Sequence, residues 1–525
     1  MEEKARPRLE FETVSAVLGS AFEWYDVCAF VTLAPDFAGF LFPENHPAAS
    51  LLSVYAAATA GFLVRPFGAL FFGRIGDSEG RPYPLRITIL VMGLGTAFTG
   101  LLPAFASAGW AAPVLLVLLR LLQGFAAGGE AGGAAVYLAE YAPAARRGLA
   151  ASLVPSAATV GLALALLAVW AAHAALPSAA LAAWGWRLPF LLAAPALLPA
   201  FLLRRRLKES PVFVRIQAAG STAHAPLLES FFHAPHKHLL PVLFGAAAGQ
   251  GVVWFTGLVY APLFLIVALH LDFQSAGLIV AAALVIGTPF FLFFGWLSDR
   301  IGRLKIILAG CLLAAMTYFP LFYELAQAVA PELAAFRAET KIAIAADTCR
   351  LHAFVGAWPK LPACAQVKGF FVASGLNFAS LPAEPGKEVA VTIGHSHITG
   401  FDAPKIKAAL AAQGYPERPD PAKIHRGLTL LWLAILIIYA AMVSAPLGAY
   451  LAELFPARIR YTSVSFPYHL GNGWFGGLLP FFAAGLTADQ GNLCFGLWYP
   501  VGVAVMNFAV GLLFLPETNE IPLPA

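Results

Sequence analysis

Twelve apolar runs, each long enough to cross a bilayer as a helix, divide this 525-residue chain and leave few folds open to it. They fall at about 12–35, 50–72, 84–105, 111–138, 149–174, 182–203, 239–267, 274–296, 305–324, 427–451, 462–487 and 494–515. A hydrocarbon core about 30 Å thick needs about 20 helical residues to span it. Within that core each segment must satisfy its own backbone polar groups, which selects helices. Only 12% of the residues are charged against 59% hydrophobic, so the bilayer is the expected solvent and a soluble domain is excluded. The expected fold is an all-α membrane protein of twelve transmembrane helices in two six-helix bundles.

Lys and Arg sort to one side. Lys4, Arg6 and Arg8 precede the first run, Arg74, Arg81 and Arg86 follow the second, and Arg146 and Arg147 follow the fourth. Arg204, Arg205, Arg206, Lys208, Arg215 and Lys237 lie between the sixth and seventh, Arg300, Arg303 and Lys305 after the eighth, and Arg458 and Arg460 after the tenth. The short loops opposite carry only Arg187. Positive residues stay inside, which predicts a multi-pass protein of the cytoplasmic (inner) membrane with both termini in the cytoplasm. The first run is too long and lacks the small-residue site of a cleaved signal, so it is expected to remain. The net charge of +4 serves topology and does not point to nucleic acid.

Two repeats show that the halves are related. Gly73, Asp77, Gly80 and Arg81 form a Gly-x-x-x-Asp-x-x-Gly-Arg pattern that returns 222 residues later at Gly295, Asp299, Gly302 and Arg303. Asp77 and Asp299 are expected to cap helix N-termini and to pair with Arg81 and Arg303, in contacts that break when the halves rock. Leu138-Ala139-Glu140 with Pro143, Arg146 and Arg147 returns as Leu451-Ala452-Glu453 with Pro456, Arg458 and Arg460, now 313 residues on. The difference of 91 measures an insertion in the second half.

Hydropathy places that insertion at 325–426, a polar stretch with eleven Lys and Arg residues. The expected division is 1–206 for the first bundle, 207–237 for a cytoplasmic linker, and 238–525 for the second bundle with its extracytoplasmic insert. Alternation at 341–344 and 388–393, and a helical pattern from Pro404 to Gln413 closed by Gly414, predict a small α+β cap. Cys349 and Cys364 both lie in it, and an oxidising exterior favours a disulfide between them. His395-Ser396-His397 reads as a solvated turn; no metal or other cofactor is expected.

A charge in mid-bilayer is costly unless paired or wet, so intramembrane ionisable residues are functional candidates. The first half has five. Glu23 and Asp26 share one face of the first helix, Arg65 sits inside the second, and Arg120 and Glu130 share a face of the fourth. Three acids against two bases leave one carboxylate without a charged partner, as a proton carrier requires. Glu23, Asp26 and Glu130 are therefore the proton-coupling candidates; the alternative is a network that locks helices 1, 2 and 4. Arg65 and Arg120 suit a substrate's carboxylate. Tyr25 and, in the second half, Gln250, Trp254 and Asn472 complete the expected substrate-binding set. Gly124, Gly128 and Gly132 on the fourth helix predict close packing.

The loop pattern resembles the signature of the major facilitator superfamily. Glu23-Trp24-Tyr25-Asp26, Val64-Arg65-Pro66-Phe67-Gly68, Arg120-Leu121-Leu122-Gln123-Gly124 with Gly128-Gly129-Glu130, and Trp184-Gly185-Trp186-Arg187 with Pro189-Phe190 resemble its metabolite:H⁺ symporter family, which includes proline/betaine, α-ketoglutarate, citrate and shikimate carriers. The resemblance implies alternating access and proton-coupled import of a small organic acid or zwitterion; a monomer in the lipid bilayer is expected. Helix 5 has no Arg or Lys, so a second cationic clamp for a dicarboxylate is missing there. A sensor that uses the insert, and a proton-driven exporter, are the competing readings. No P-loop, metal cluster or nucleophile constellation supports an enzyme.

Overall fold

The computed structural model describes residues 6–42, 47–223, 225–232, 236–347, 362–384 and 387–524. Twelve membrane helices, here spans 1 to 12, stand where the apolar runs predict them. Spans 1 to 6 are Arg6–Leu41, Pro47–Ser78, Pro82–Thr99, Ala111–Ala127 continued by Ala131–Tyr141, Leu153–Ala175 and Arg187–Arg205. Span 7 runs from His236–Val242 to Phe264–Ala268, span 8 is Phe273–Ile301, and span 9 is Arg303–Val329. Span 10 is Arg426–Ser444 with Leu447–Leu454, span 11 runs from Arg460–Leu470 to Leu479–Gln490, and span 12 is Trp498–Phe514. Among the described residues, ten are long and apolar enough to cross a membrane. Spans 3 and 11 complete the set: one is only 18 residues long, and the other carries a polar stripe from Tyr461 to Asn472.

Large apolar side chains such as Phe67, Phe71, Leu118, Val285 and Leu513 point outward, the pattern of a lipid-facing surface. Small residues line the contacts within. A Cβ on Gly124 would lie 2.0 Å from the Gly61 carbonyl oxygen, and one on Gly128 would lie 2.1 Å from that of Arg65, so spans 2 and 4 touch backbone to backbone. That contact sets the depth at which Arg65 and Arg120 face one another's partners. Spans 7 and 11 are broken by wider turns, at Leu243–Ala247, Thr256–Tyr260 and Phe264–Ala268 in the first and Gly471–Gly476 in the second.

The insertion between spans 9 and 10 is α+β. Helix Pro331–Glu339 leads into β1 (Ile342–Ala346); helix Ala363–Ala373 precedes β2 (Ala379–Pro382), β3 (Ala390–Ile393) and β4 (Ser396–Thr399), and helix Ala403–Ala412 closes it. The strand order is β2-β1-β3-β4, with β1 parallel to β2 and the other pairs antiparallel. Ile342, Ile344, Val391, Ile393 and Ile398 fill its core. His395 lies in the β3–β4 turn, which Gly394 makes at φ 56°, and His397 sits on β4, 3.0 Å from the Thr392 hydroxyl. The turn reading thus holds for His395 alone.

The insert is fastened to the second half. Arg337 donates to the Gly375 carbonyl at 2.6 Å and to that of Ala268, the last residue of span 7, at 3.2 Å. Desolvation draws the Arg337 guanidinium down to about 10, still charged at neutral pH. The loop between spans 11 and 12 is held by Phe378 N to Gly491 O at 2.8 Å and Leu493 N to Asn377 Oδ1 at 2.9 Å. Cys364 is disulfide-bonded, and Cys28, Cys311 and Cys494 are free thiols. Cys349 lies outside the described residues.

Candidate functional site

The repeated loop motifs build one site twice. Asp77 accepts backbone N–H groups of Tyr461 and Thr462, both at 2.9 Å, at the N-terminus of span 11 in the other half. Asp299 accepts those of Gly148 and Leu149 at 2.7 and 3.0 Å, just ahead of span 5. A carboxylate at a helix N-terminus is favoured by the unpaired N–H groups and the helix dipole. Arg81 pairs with Asp77 at 2.9 Å and Glu140 at 3.1 Å; Arg303 pairs with Asp299 at 2.6 Å and Glu453 at 3.0 Å. Each glutamate then reaches across the seam, Glu140 to Arg460 at 2.8 Å and Glu453 to Arg147 at 3.7 Å. Every motif glycine has a reason. Gly80 and Gly302 adopt φ of 111° and 121°. A Cβ on Gly73 would lie 2.7 Å from Thr462 Cα, and one on Gly295 would lie 2.3 Å from the Ser152 hydroxyl.

A third repeated pair completes this lock. Glu209 accepts the Arg81 and Ser210 N–H groups at 3.1 and 2.8 Å, while Glu517 accepts that of Arg303 at 2.6 Å. Ser210 donates to Glu140 and Thr518 to Glu453. Burial lifts the Glu209 carboxyl above its ordinary value against the pull of those N–H donors. Glu209-Ser210 and Glu517-Thr518 lie 308 residues apart, a signal open to sequence comparison of the halves and missed.

Deeper in the first half, Glu23 meets Arg65 at 2.5 Å, and Asp26 meets Arg120 at 2.7 and 3.3 Å. Thr96 donates to Asp26 at 2.8 Å, and Arg120 donates to Thr99 at 2.7 Å. Both pairs line one small cavity among spans 1 to 4, together with Phe30, Phe62 and Gln123. Arg65 and Arg120 lie over the rings of Phe62 and Phe30 at 4.1 and 4.2 Å. Glu23 Oε2, Arg65 Nε, Arg120 Nε and Gln123 Oε1 are buried with no hydrogen-bond partner among the described residues.

Glu130 departs from expectation. Both its oxygens are held by Arg204 of span 6, one at 2.8 Å, and Thr88 donates to it at 2.6 Å. Arg204 is fully buried and also donates to the carbonyls of Ser15, Leu85 and Ala16. Three buried bases thus match the three acids. Among Glu23, Asp26 and Glu130, the excess inferred by counting Arg65 and Arg120 alone is removed, because Arg204 turns inward from a run that reads as topogenic.

Tyr25 is turned away from the cavity and donates to the Pro189 carbonyl at 2.7 Å. Gln250 and Asn472 are brought together but satisfy one another, Asn472 donating to Gln250 at 2.6 Å and Gln250 to Ser444 at 2.9 Å. Trp254 packs on Trp24 of the first half with ring centroids 5.3 Å apart, its indole N–H buried and unpartnered among the described residues.

Comparison with known proteins gives this arrangement a family. Residues 18–344 match the Major Facilitator Superfamily model, and the chain belongs to that superfamily, whose members are transporters rather than enzymes. It is 34% identical over 312 residues to the shikimate transporter of Escherichia coli (strain K12), covering 58% of this chain and 70% of that one. It is 33% identical over 311 residues to the glycine betaine/proline/ectoine/pipecolic acid transporter OusA of Dickeya dadantii, covering 58% and 62%. The chain thus spans less than two thirds of OusA. Among solved structures, the proton:xylose symporter XylE bound to 6-bromo-6-deoxy-D-glucose superposes with a TM-score of 0.60 at 16% identity, covering 98% of this chain and 97% of that one. A partially occluded inward-open XylE from E. coli gives 0.57 at 18%, covering 98% and 99%. These structures show the fold.

Proposed function

We propose that this transporter is a proton-coupled symporter of the inner membrane that imports a small organic acid or zwitterion by alternating access. The observation that carries it is the pair of buried carboxylate–arginine contacts, Glu23–Arg65 and Asp26–Arg120, on one cavity where Glu23 keeps a free oxygen. A proton taken up by Glu23 cancels the charge that engages Arg65 and frees the guanidinium for a carboxylate. Loss of the proton restores the pair and releases the substrate. Asp26 and Arg120 offer the same exchange one turn away. Glu130, clasped by Arg204, is assigned to holding the first half together.

The compounds named for the relatives above, shikimate, glycine betaine, proline, ectoine and pipecolic acid, are carboxylates or zwitterions that such a site suits. In this reading the motif end faces the cytoplasm with both termini, the twin locks are the gate that opens as the halves rock, and Cys364 bridges to Cys349 in an external insert. The bundles divide at the 207–237 linker and the carrier works as a monomer.

Proteoliposomes with an imposed inward proton gradient test it. Labelled proline, glycine betaine or shikimate should accumulate and leak out when an ionophore collapses the gradient. Accumulation indifferent to the gradient would refute proton coupling.

A further inference from the structure

Span 11 presents Tyr461, Ser465, His469 and Gly473, four residues apart, to the first half. Its neighbours fix where that stripe points. Tyr461 donates to the Gly129 carbonyl at 2.6 Å, and a Cβ on Gly132 would lie 2.7 Å from Ser465 Cα. A Cβ on Gly473 would lie 2.6 Å from the Phe62 carbonyl and 3.9 Å from Arg65 Cβ. His469, between these contacts, therefore faces spans 2 and 4, one turn from the position that meets Arg65.

The imidazole is fully buried, and neither ring nitrogen has a hydrogen-bond partner among the described residues. Its ring packs edge-on against that of the adjacent Tyr468, with centroids 5.1 Å apart. Arg65 Nε and Glu23 Oε2 are also unpartnered among the described residues. If packing were the purpose, an apolar side chain would fill this position without an unmet polar cost. Instead, an imidazole N–H from one half and a guanidinium N–H from the other stand unsatisfied near one seam, and an anion with two oxygens placed between them satisfies both.

We propose that His469 is the second half's binding residue for the substrate's carboxylate, which it and Arg65 hold between them across the seam. This rests on the symporter reading above and adds to it a reason why substrate is needed for the halves to move together: the bound anion ties span 2 to span 11. It also fits a single carboxylate, since one imidazole and one guanidinium offer one such cradle.

The test uses the full chain in proteoliposomes with labelled L-proline and shikimate under an inward proton gradient. His469→Ala should raise KM for the accumulated acid about ten- to hundredfold with a smaller change in Vmax, and His469→Gln, which keeps a donor, should recover much of it. Methyl esters of the same acids should fail to compete in the native protein, and the advantage of acid over ester should shrink in His469→Ala. His397→Ala, on the insert sheet, should behave as native. Unchanged KM and unchanged ester discrimination in both His469 variants would overturn the assignment while leaving symport intact. If neither acid accumulates in the native protein, the symporter reading falls and takes the assignment with it.

Discussion

Arg204 shows how one side chain alters an electrostatic argument. It sits beside Arg205 and Arg206, which are exposed, and the triplet reads as a topogenic cluster. Yet Ala193, Leu197, Ala200 and Arg204 share the buried face of span 6 at helical spacing, so the hidden charge was marked by periodicity. Removing one partner of such a pair leaves an uncompensated charge, at about 3–5 kcal/mol. Glu130→Gln is therefore expected to lower the melting temperature of the purified protein strongly. A Glu130→Leu, Arg204→Met double variant should restore much of the loss, because both charges then leave together. Glu23→Gln and Asp26→Asn belong to a different class. Each should abolish gradient-driven accumulation while retaining substrate exchange between preloaded vesicles and medium, and loss of both activities with a native melting curve would count against proton exchange at these carboxylates.

At the scale of elements, the motif loop is a turn whose glycines are dictated by geometry. Gly80 at φ 111° packs against Glu209, which a Cβ would meet, so Gly80→Ala combines backbone strain with loss of the Arg81 cap. Gly302→Ala does the same to Glu517. Each is expected to destabilise by about 1–3 kcal/mol, read as a drop in melting temperature, with neighbouring Ser78→Ala as a near-neutral control. Gly128→Val would press span 2 away from span 4 at Arg65, and should lower uptake of the accumulated acid more than it lowers stability. The insert is an element of its own. Because Arg337 closes the carbonyl end of span 7, Arg337→Ala should loosen the insert from the membrane bundle, seen as faster hydrogen exchange in helix Pro331–Glu339 with the strands β1 and β3 still protected.

For the molecule as a whole, the ion pairs that join the halves among the described residues, Arg460–Glu140 and Arg147–Glu453, gather with Asp77 and Asp299 at the motif end. The two locks are unequal: the Arg460 pair is wholly buried at 2.8 Å, whereas Arg147, also buried, reaches Glu453 only at 3.7 Å. Asp77→Asn should accordingly shift the population toward states open at that end more than Asp299→Asn does, measured as a longer spin-label distance between the ends of spans 2 and 11; equal shifts would show that the inequality is not energetic. Twelve spans, two related halves, the motif pairs and the α+β nature of the insert were legible in the chain, because hydropathy, repeat spacing and alternation are local properties that the bilayer and the pleat read directly. Glu23, Asp26, Arg65 and Arg120 were legible as a group, since charge inside an apolar run is conspicuous. Which carboxylate meets which arginine, the turning of Tyr25 to a carbonyl, the mutual satisfaction of Gln250 and Asn472, and the isolation of His469 were settled only by tertiary structure. A helix declares from its own residues that it will form and which residues share a face, but a partner for a buried charge is supplied by whatever other helix the packing brings within about 3 Å.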